Sequence, residues 1–191
     1  MASLARRERQ ALCDLALEQG PDAPTLRGGN VGQLVGTLLR AERRKDRDEG
    51  FEADVARLRR APLLWRPVSL LDLVVAHEDV RRARGPEISI ERRLSERDDT
   101  TLWRHLERAA PLLLRSSPVP VVIARSDPPK SRRTILRGDA PVVVRGKPLE
   151  LVVALHGRHR LYNVAFDGAS QSVEQLRLAG IGHYAGPRRS G

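Results

Sequence analysis

Apolar residues recur at helical spacing over the first 116 or so positions and then give way to β-branched runs. Leu4, Ala11, Leu12, Leu15 and Ala16 share one face between Ser3 and Gln19, which predicts a helix stopped by Gly20-Pro21. Val31, Leu34, Val35, Leu38 and Leu39 predict a second over 31–44, entered from a Gly28-Gly29-Asn30 loop. Lys45 to Gly50 is a charged linker. Phe51, Val55 and Leu58 mark a short helix ending at Arg60. Pro67 suits the first turn of the next helix, because its missing N–H costs nothing there. That helix runs to about Arg84 and stops at Gly85-Pro86. A fourth covers Thr100 to Arg115, with Pro111 expected to kink or break it.

The texture changes after Ser116-Ser117-Pro118. Val119–Ala124, Thr134–Arg137 and Ala140–Val144 read as strands, with Asp127–Arg133 as a Pro- and Arg-rich turn. Lys147-Pro148 opens a short helix through Leu155 that Gly157 closes. Leu161–Phe166 alternates like a strand, and Ser172–Leu178 reads as a last helix. The expected fold is α+β: a helical bundle over 1–116, a small α+β domain over 117–182, and a disordered tail over 183–191.

Composition narrows the function. Hydrophobic residues are 40% and charged residues 30%, so a core can form, but aromatics are only 3% and stacking platforms for bases are scarce. No apolar run reaches the ~18–20 residues that span a membrane. The N-terminus lacks an apolar secretory core, and the single Cys13 excludes an internal disulfide, so a cytoplasmic protein is expected. The net charge is +10, and all but three of the 34 basic residues are Arg. Such a field attracts nucleic acid, but the arginines are spread along the chain and form no motif, so nucleic acid is an unfavoured partner. No P-loop, Cys-x-x-Cys, Gly-x-Gly-x-x-Gly or Ser-His-Asp order is present.

Three segments carry a resemblance. They are Leu4 to Leu17 with Gly20-Pro21-Asp22-Ala23-Pro24-Thr25-Leu26; His77-Glu78-Asp79-Val80-Arg81-Arg82-Ala83; and Gly146 to Leu151 with His156-Gly157-Arg158. Together they resemble the DinB-like proteins of the mycothiol-dependent maleylpyruvate isomerase superfamily over most of residues 3–180. The resemblance implies an N-terminal four-helix bundle and a C-terminal domain like sterol-carrier domains. It also implies a divalent metal held by a His on the second helix and an acidic-or-His-x-x-x-His pair on the third, with an open position for water or the mycothiol thiolate. Residues four apart share a helix face, so two such side chains can hold one ion. Carried over by residue, the first His falls on Thr37, the acidic position on Asp72 and the last His on Ala76. His77 matches the family's His after the ligand, about 100° round the helix from Ala76. A lone carboxylate does not hold a transition metal tightly. No metal and no cofactor are therefore expected.

Asp72, Thr37 and His77 are the candidate catalytic residues. Asp72 either points into an inherited pocket as an acid or base, or closes a capping box, since Ser69-Leu70-Leu71-Asp72 has that spacing. Thr37 either lines the pocket or covers its floor. His77-Glu78-Asp79 with Arg81 and Arg82 is either ligating or, the favoured reading, a polar cluster tying helices together. Cys13 reads as an inert buried thiol and His105 as a solvated position. His156 and His159 either touch an anionic ligand or flank a turn.

The leading expectation is a metal-independent isomerase, cyclase or lyase of specialised metabolism, monomeric or homodimeric, acting on a small organic molecule. The alternatives are a non-catalytic ligand-binding or accessory protein, an Arg-driven nucleic-acid binder, and a metal-dependent mycothiol S-transferase or isomerase whose site is rebuilt from other residues.

Overall fold

The computed structural model describes residues 3–41, 50–61, 69–83, 92–158 and 163–179. The readings on the Lys45 linker, Pro67, the Gly85-Pro86 stop, Leu161, His159 and the tail at 183–191 lie outside these residues. The architecture is α+β, with helices and a four-stranded mixed sheet. The chain divides into two compact units, 1–93 and 94–191. The join read from the sequence at 116–118 thus lies inside the second unit.

The first unit is helical among its described residues: α1 (Leu4–Gln19), α2 (Val31–Ala41), α3 (Phe51–Arg60) and α4 (Leu70–Arg82). Local chemistry sets the ends. Ser3 Oγ accepts from Arg6 N at 3.3 Å, and α1 stops at Gly20, whose φ of 83° suits glycine. Asn30 and Gln33 bond reciprocally at the start of α2, Gln33 N to Asn30 Oδ1 at 2.9 Å and Asn30 N to Gln33 Oε1 at 3.2 Å. Gly29 must be glycine for this, because a Cβ there would lie 2.4 Å from Gln33 Oε1. The apolar stripes meet in one core. Leu12, Cys13 and Ala16 of α1 pack with Val35, Leu38 and Leu39 of α2, Val55 and Leu58 of α3, and Ala76 and Val80 of α4.

In the second unit α5 (Glu96–Leu113) precedes β1 (Val121–Arg125), β2 (Arg132–Leu136) and β3 (Val142–Gly146). Then come α6 (Pro148–Leu155), β4 (Val164–Asp167) and α7 (Ser170–Leu178). The strand order is β2-β1-β3-β4; β1 and β3 run parallel, and the outer pairs are antiparallel. All of β1 and all of α6 are buried, which explains the apolar runs Val121–Ala124 and Leu151–Leu155 within them.

Three expectations need correction. α5 continues through Pro111 to Leu113. Pro111 lies in the last turn, where its missing donor and the crowding of its ring against the preceding turn affect only the helix end, and the helix is not broken there. β2 begins at Arg132, inside the expected turn, because Arg132 and Arg133 pair with Ala124 and Ile123. β3 is displaced two residues onward, to Val142–Gly146. No helix among the described residues is long and apolar enough to cross a membrane.

Candidate functional site

The positions that the resemblance makes ligands do not converge. Asp72 is exposed and turns back on its own helix end. Its Oδ2 accepts from Ser69 N at 2.9 Å and lies 2.7 Å from Ser69 Oγ, while Ser69 Oγ accepts from Asp72 N at 3.1 Å. This is the reciprocal capping box, the second of the two readings that the Ser69-Leu70-Leu71-Asp72 spacing offers: the carboxylate takes the backbone donor of Ser69 at the helix start instead of entering a pocket. Thr37 is exposed as well. Its hydroxyl donates to Gln33 O at 2.8 Å and accepts from Arg40 Nη2 at 3.1 Å, so it neither lines nor floors the core. Ala76 is 3% exposed and belongs to the aliphatic core. These three residues do not fit a divalent metal. Among the described residues no three His, Cys, Asp or Glu side chains gather where they could share one.

Asp72→Ala is expected to cost about 1 kcal/mol, because one backbone donor loses its partner at the helix start. Urea unfolding at neutral pH measures this directly. An unchanged midpoint would show that the capping bonds carry no stability.

One step round α4, His77 meets a different set of groups. His77 is buried, and its Nδ1 lies 2.9 Å from Glu8 Oε2 on α1 and 2.9 Å from Arg92 Nη1. A guanidinium can only donate, so Nδ1 either accepts from Arg92 or carries a proton and donates to Glu8. Arg92 donates to Glu8 Oε2 in either case, through Nη1 and Nη2 at 3.0 Å each. Glu78 is 1% exposed and receives Arg81 Nη2 at 2.7 Å and Arg82 Nε at 2.5 Å on Oε2, with Arg92 Nε 3.2 Å from Oε1. Burial alone would raise both carboxyls. The hydrogen bond with His77 and the charge of Arg92 more than offset it at Glu8; at Glu78 the hydrogen bond from Arg81 and the charges of Arg92 and Arg82 do so. Both therefore lie below the usual carboxylate range and stay ionised inside the fold. The cluster joins α1, α4 and the segment at Arg92. Arg9, also buried, completes the tie by donating through Nη1 to Ala61 O at 2.6 Å, at the end of α3.

The remaining candidates fall on bland ground. Cys13 Sγ donates to Val55 O at 3.8 Å, and burial pushes its thiol up to about 11, which makes it a poor nucleophile. His105 is exposed on α5, and desolvation with the nearby Arg108 lowers its pKa. His156 Nδ1 lies 2.7 Å from Val152 O one turn earlier, so it caps α6.

A second polar centre was not read from the sequence. Arg125 ends β1 with its side chain 1% exposed. It grips Asp127 with Nε at 3.1 Å and Nη2 at 2.5 Å, and donates through Nη2 to Pro128 O at 3.2 Å and through Nη1 to Thr100 Oγ1 at 3.4 Å. Asp99, in the first turn of α5, is half-buried beside this pair. Desolvation and the Asp127 charge push it up to about 6, against the pull of Arg125 and Lys147. These groups lie at the carboxyl ends of the parallel strands β1 and β3, where open α/β sheets commonly place ligands. The only sequence signal was a buried-looking strand ending in Arg125-Ser126-Asp127, and its partner on α5 lies 25 residues away.

No family model, curated protein or solved structure matches the chain.

Proposed function

We propose that the protein is a divergent member of the DinB-like, mycothiol-dependent isomerase superfamily that works as a non-catalytic ligand-binding or accessory protein. The observation that supports this reading is the position of Ala76. Where the family places a ligand, a methyl group packs among Val35, Leu38, Leu39 and Val80. Asp72 and Thr37, the other two slots, spend their polar atoms on their own helices. An aliphatic core fills the place of a reactive centre, and the buried charges beside it are neutralised by one another.

The test is elemental analysis of protein purified from zinc- and nickel-supplemented cells. The expected content is far below one metal per chain. One tightly bound zinc or nickel per chain, lost on Asp72→Ala, would sink the proposal and restore the metal-dependent reading.

A second reading, an acid–base enzyme acting on a small organic molecule, rests on Asp99 rather than Asp72. A carboxyl held near 6 is suited to proton transfer around neutral pH. A small-molecule thermal-shift screen separates the two readings. Ligands that stabilise the parent and leave Asp99→Asn unmoved favour the second.

A further inference from the structure

We propose that the outer edge of β2 is a docking surface for an acidic, extended segment of a partner protein, which adds to the sheet as one more strand. β2 stands at the end of the order β2-β1-β3-β4, and among the described residues it pairs with β1 on one side only. Its other side therefore offers backbone donors and acceptors to an incoming chain. Lys130, Arg132, Arg133 and Arg137 are all exposed along this edge. None of the four makes a side-chain hydrogen bond or ion pair with another described residue. No acidic residue lies between Pro128 and Gly138, and Asp127 just before them is held by Arg125.

The arrangement of charge selects the occupant. Arg132 and Arg133 occupy successive positions of the ladder, opposite Ala124 and Ile123, so their guanidinium groups leave from opposite faces of the sheet. An added strand has the same alternation. Two consecutive acidic residues on it would meet Arg132 on one face and Arg133 on the other. A second copy of this chain fits badly, because antiparallel β2-to-β2 pairing sets arginine against arginine. A nucleic-acid duplex offers no backbone ladder to the edge, and its phosphates would engage the cations of one face alone. The charges that keep the edge from pairing with itself thus favour an acidic strand.

The probe is a fluorescein-labelled peptide of Val-Glu-Glu repeats, followed by anisotropy at low salt with the intact chain. Arg132→Glu with Arg133→Glu is expected to weaken binding by about tenfold, equivalent to about 1.4 kcal/mol. Arg104→Glu with Arg108→Glu, the same charge change at exposed positions of α5, is expected to leave it nearly unchanged. The same peptide, N-methylated at alternate residues, keeps its charge but loses its hydrogen-bonding edge, and is expected not to bind the parent protein. The proposal is overturned if the parent peptide does not bind, or if the N-methylated peptide binds equally well. It is also overturned if the α5 pair matters as much as the β2 pair, or if duplex DNA binds more tightly through the same two arginines.

Discussion

Glu78→Ala is expected to lower the unfolding free energy by about 3–5 kcal/mol, the usual cost of breaking a buried ion pair by removing one partner. Glu78 is 1% exposed and its carboxylate faces Arg81, Arg82 and Arg92 together. Deleting it leaves several positive groups close together, with Arg82 itself only 3% exposed. The loss is a large fraction of the ~5–15 kcal/mol that holds a typical domain folded. Glu78→Gln keeps the shape and some hydrogen bonds, so it should cost less than the alanine. The pH dependence has a definite sign. Glu8 and Glu78 have folded pKa values below the ordinary glutamate value of 4.5, so their contribution is present above that pH and is lost as pH falls through the lowered values. Glu78→Ala should therefore flatten the acid limb as well as lower the plateau. Urea unfolding at a series of pH values reads both. A variant within about 1 kcal/mol of the parent, the range of exposed pairs, would show that the cluster is solvated in solution.

How far the sequence carried can be judged at single residues. The helical stripes of the first two helices are plain because their spacing is local: Leu12 and Ala16, and Val35 and Leu39, are each one turn apart and enter one core. Asp72 was ambiguous in a way that local pattern cannot resolve. Ser-x-x-Asp spells a capping box, while an i, i+4 pair with position 76 spells a ligand face, and both descriptions are true of the same letters. The structure resolves it because the carboxylate bonds Ser69. Thr37 depended on the rotation of α2, and its neighbours Leu38 and Leu39 are the residues that turn inward.

The polar cluster shows the opposite limit. His77, Glu78, Arg81 and Arg82 could be grouped from sequence as a tie between helices. Their decisive partners could not, because Glu8 lies 69 positions from His77 and 84 from Arg92. No periodicity links residues so far apart. Strand edges failed for a related reason. Arg132 and Arg133 read as turn residues by composition, and only pairing with Ala124 and Ile123 makes them strand. The same two residues then carry the charge on the sheet edge, which composition alone does not mark as an edge.

Arg125→Met should be nearly as damaging as Glu78→Ala, at about 3 kcal/mol, and for a related reason. The methionine replaces the buried stem and leaves Asp127 without its bidentate partner, next to Asp99. The two carboxyls then repel each other with one fewer cation nearby. Adding Asp127→Asn to the Arg125→Met variant removes one of those charges and should recover a good part of the loss, which a double-mutant cycle measures. Asp99 supplies an independent readout. Its folded pKa is raised from 3.8 to about 6, so the neutral form is favoured in the folded state. The stability linked to it is fully present below pH 3.8 and declines as pH rises through 6. Arg125 is one of the groups that holds this value down, so Arg125→Met should move the Asp99 midpoint higher and carry the decline toward neutral pH. Carboxyl NMR follows that midpoint in both proteins. If Arg125→Met left it where it was, or if Asp127→Asn recovered nothing, the two aspartates and the buried arginine would not be one electrostatic unit. The acid–base reading of this centre would then lose its physical basis.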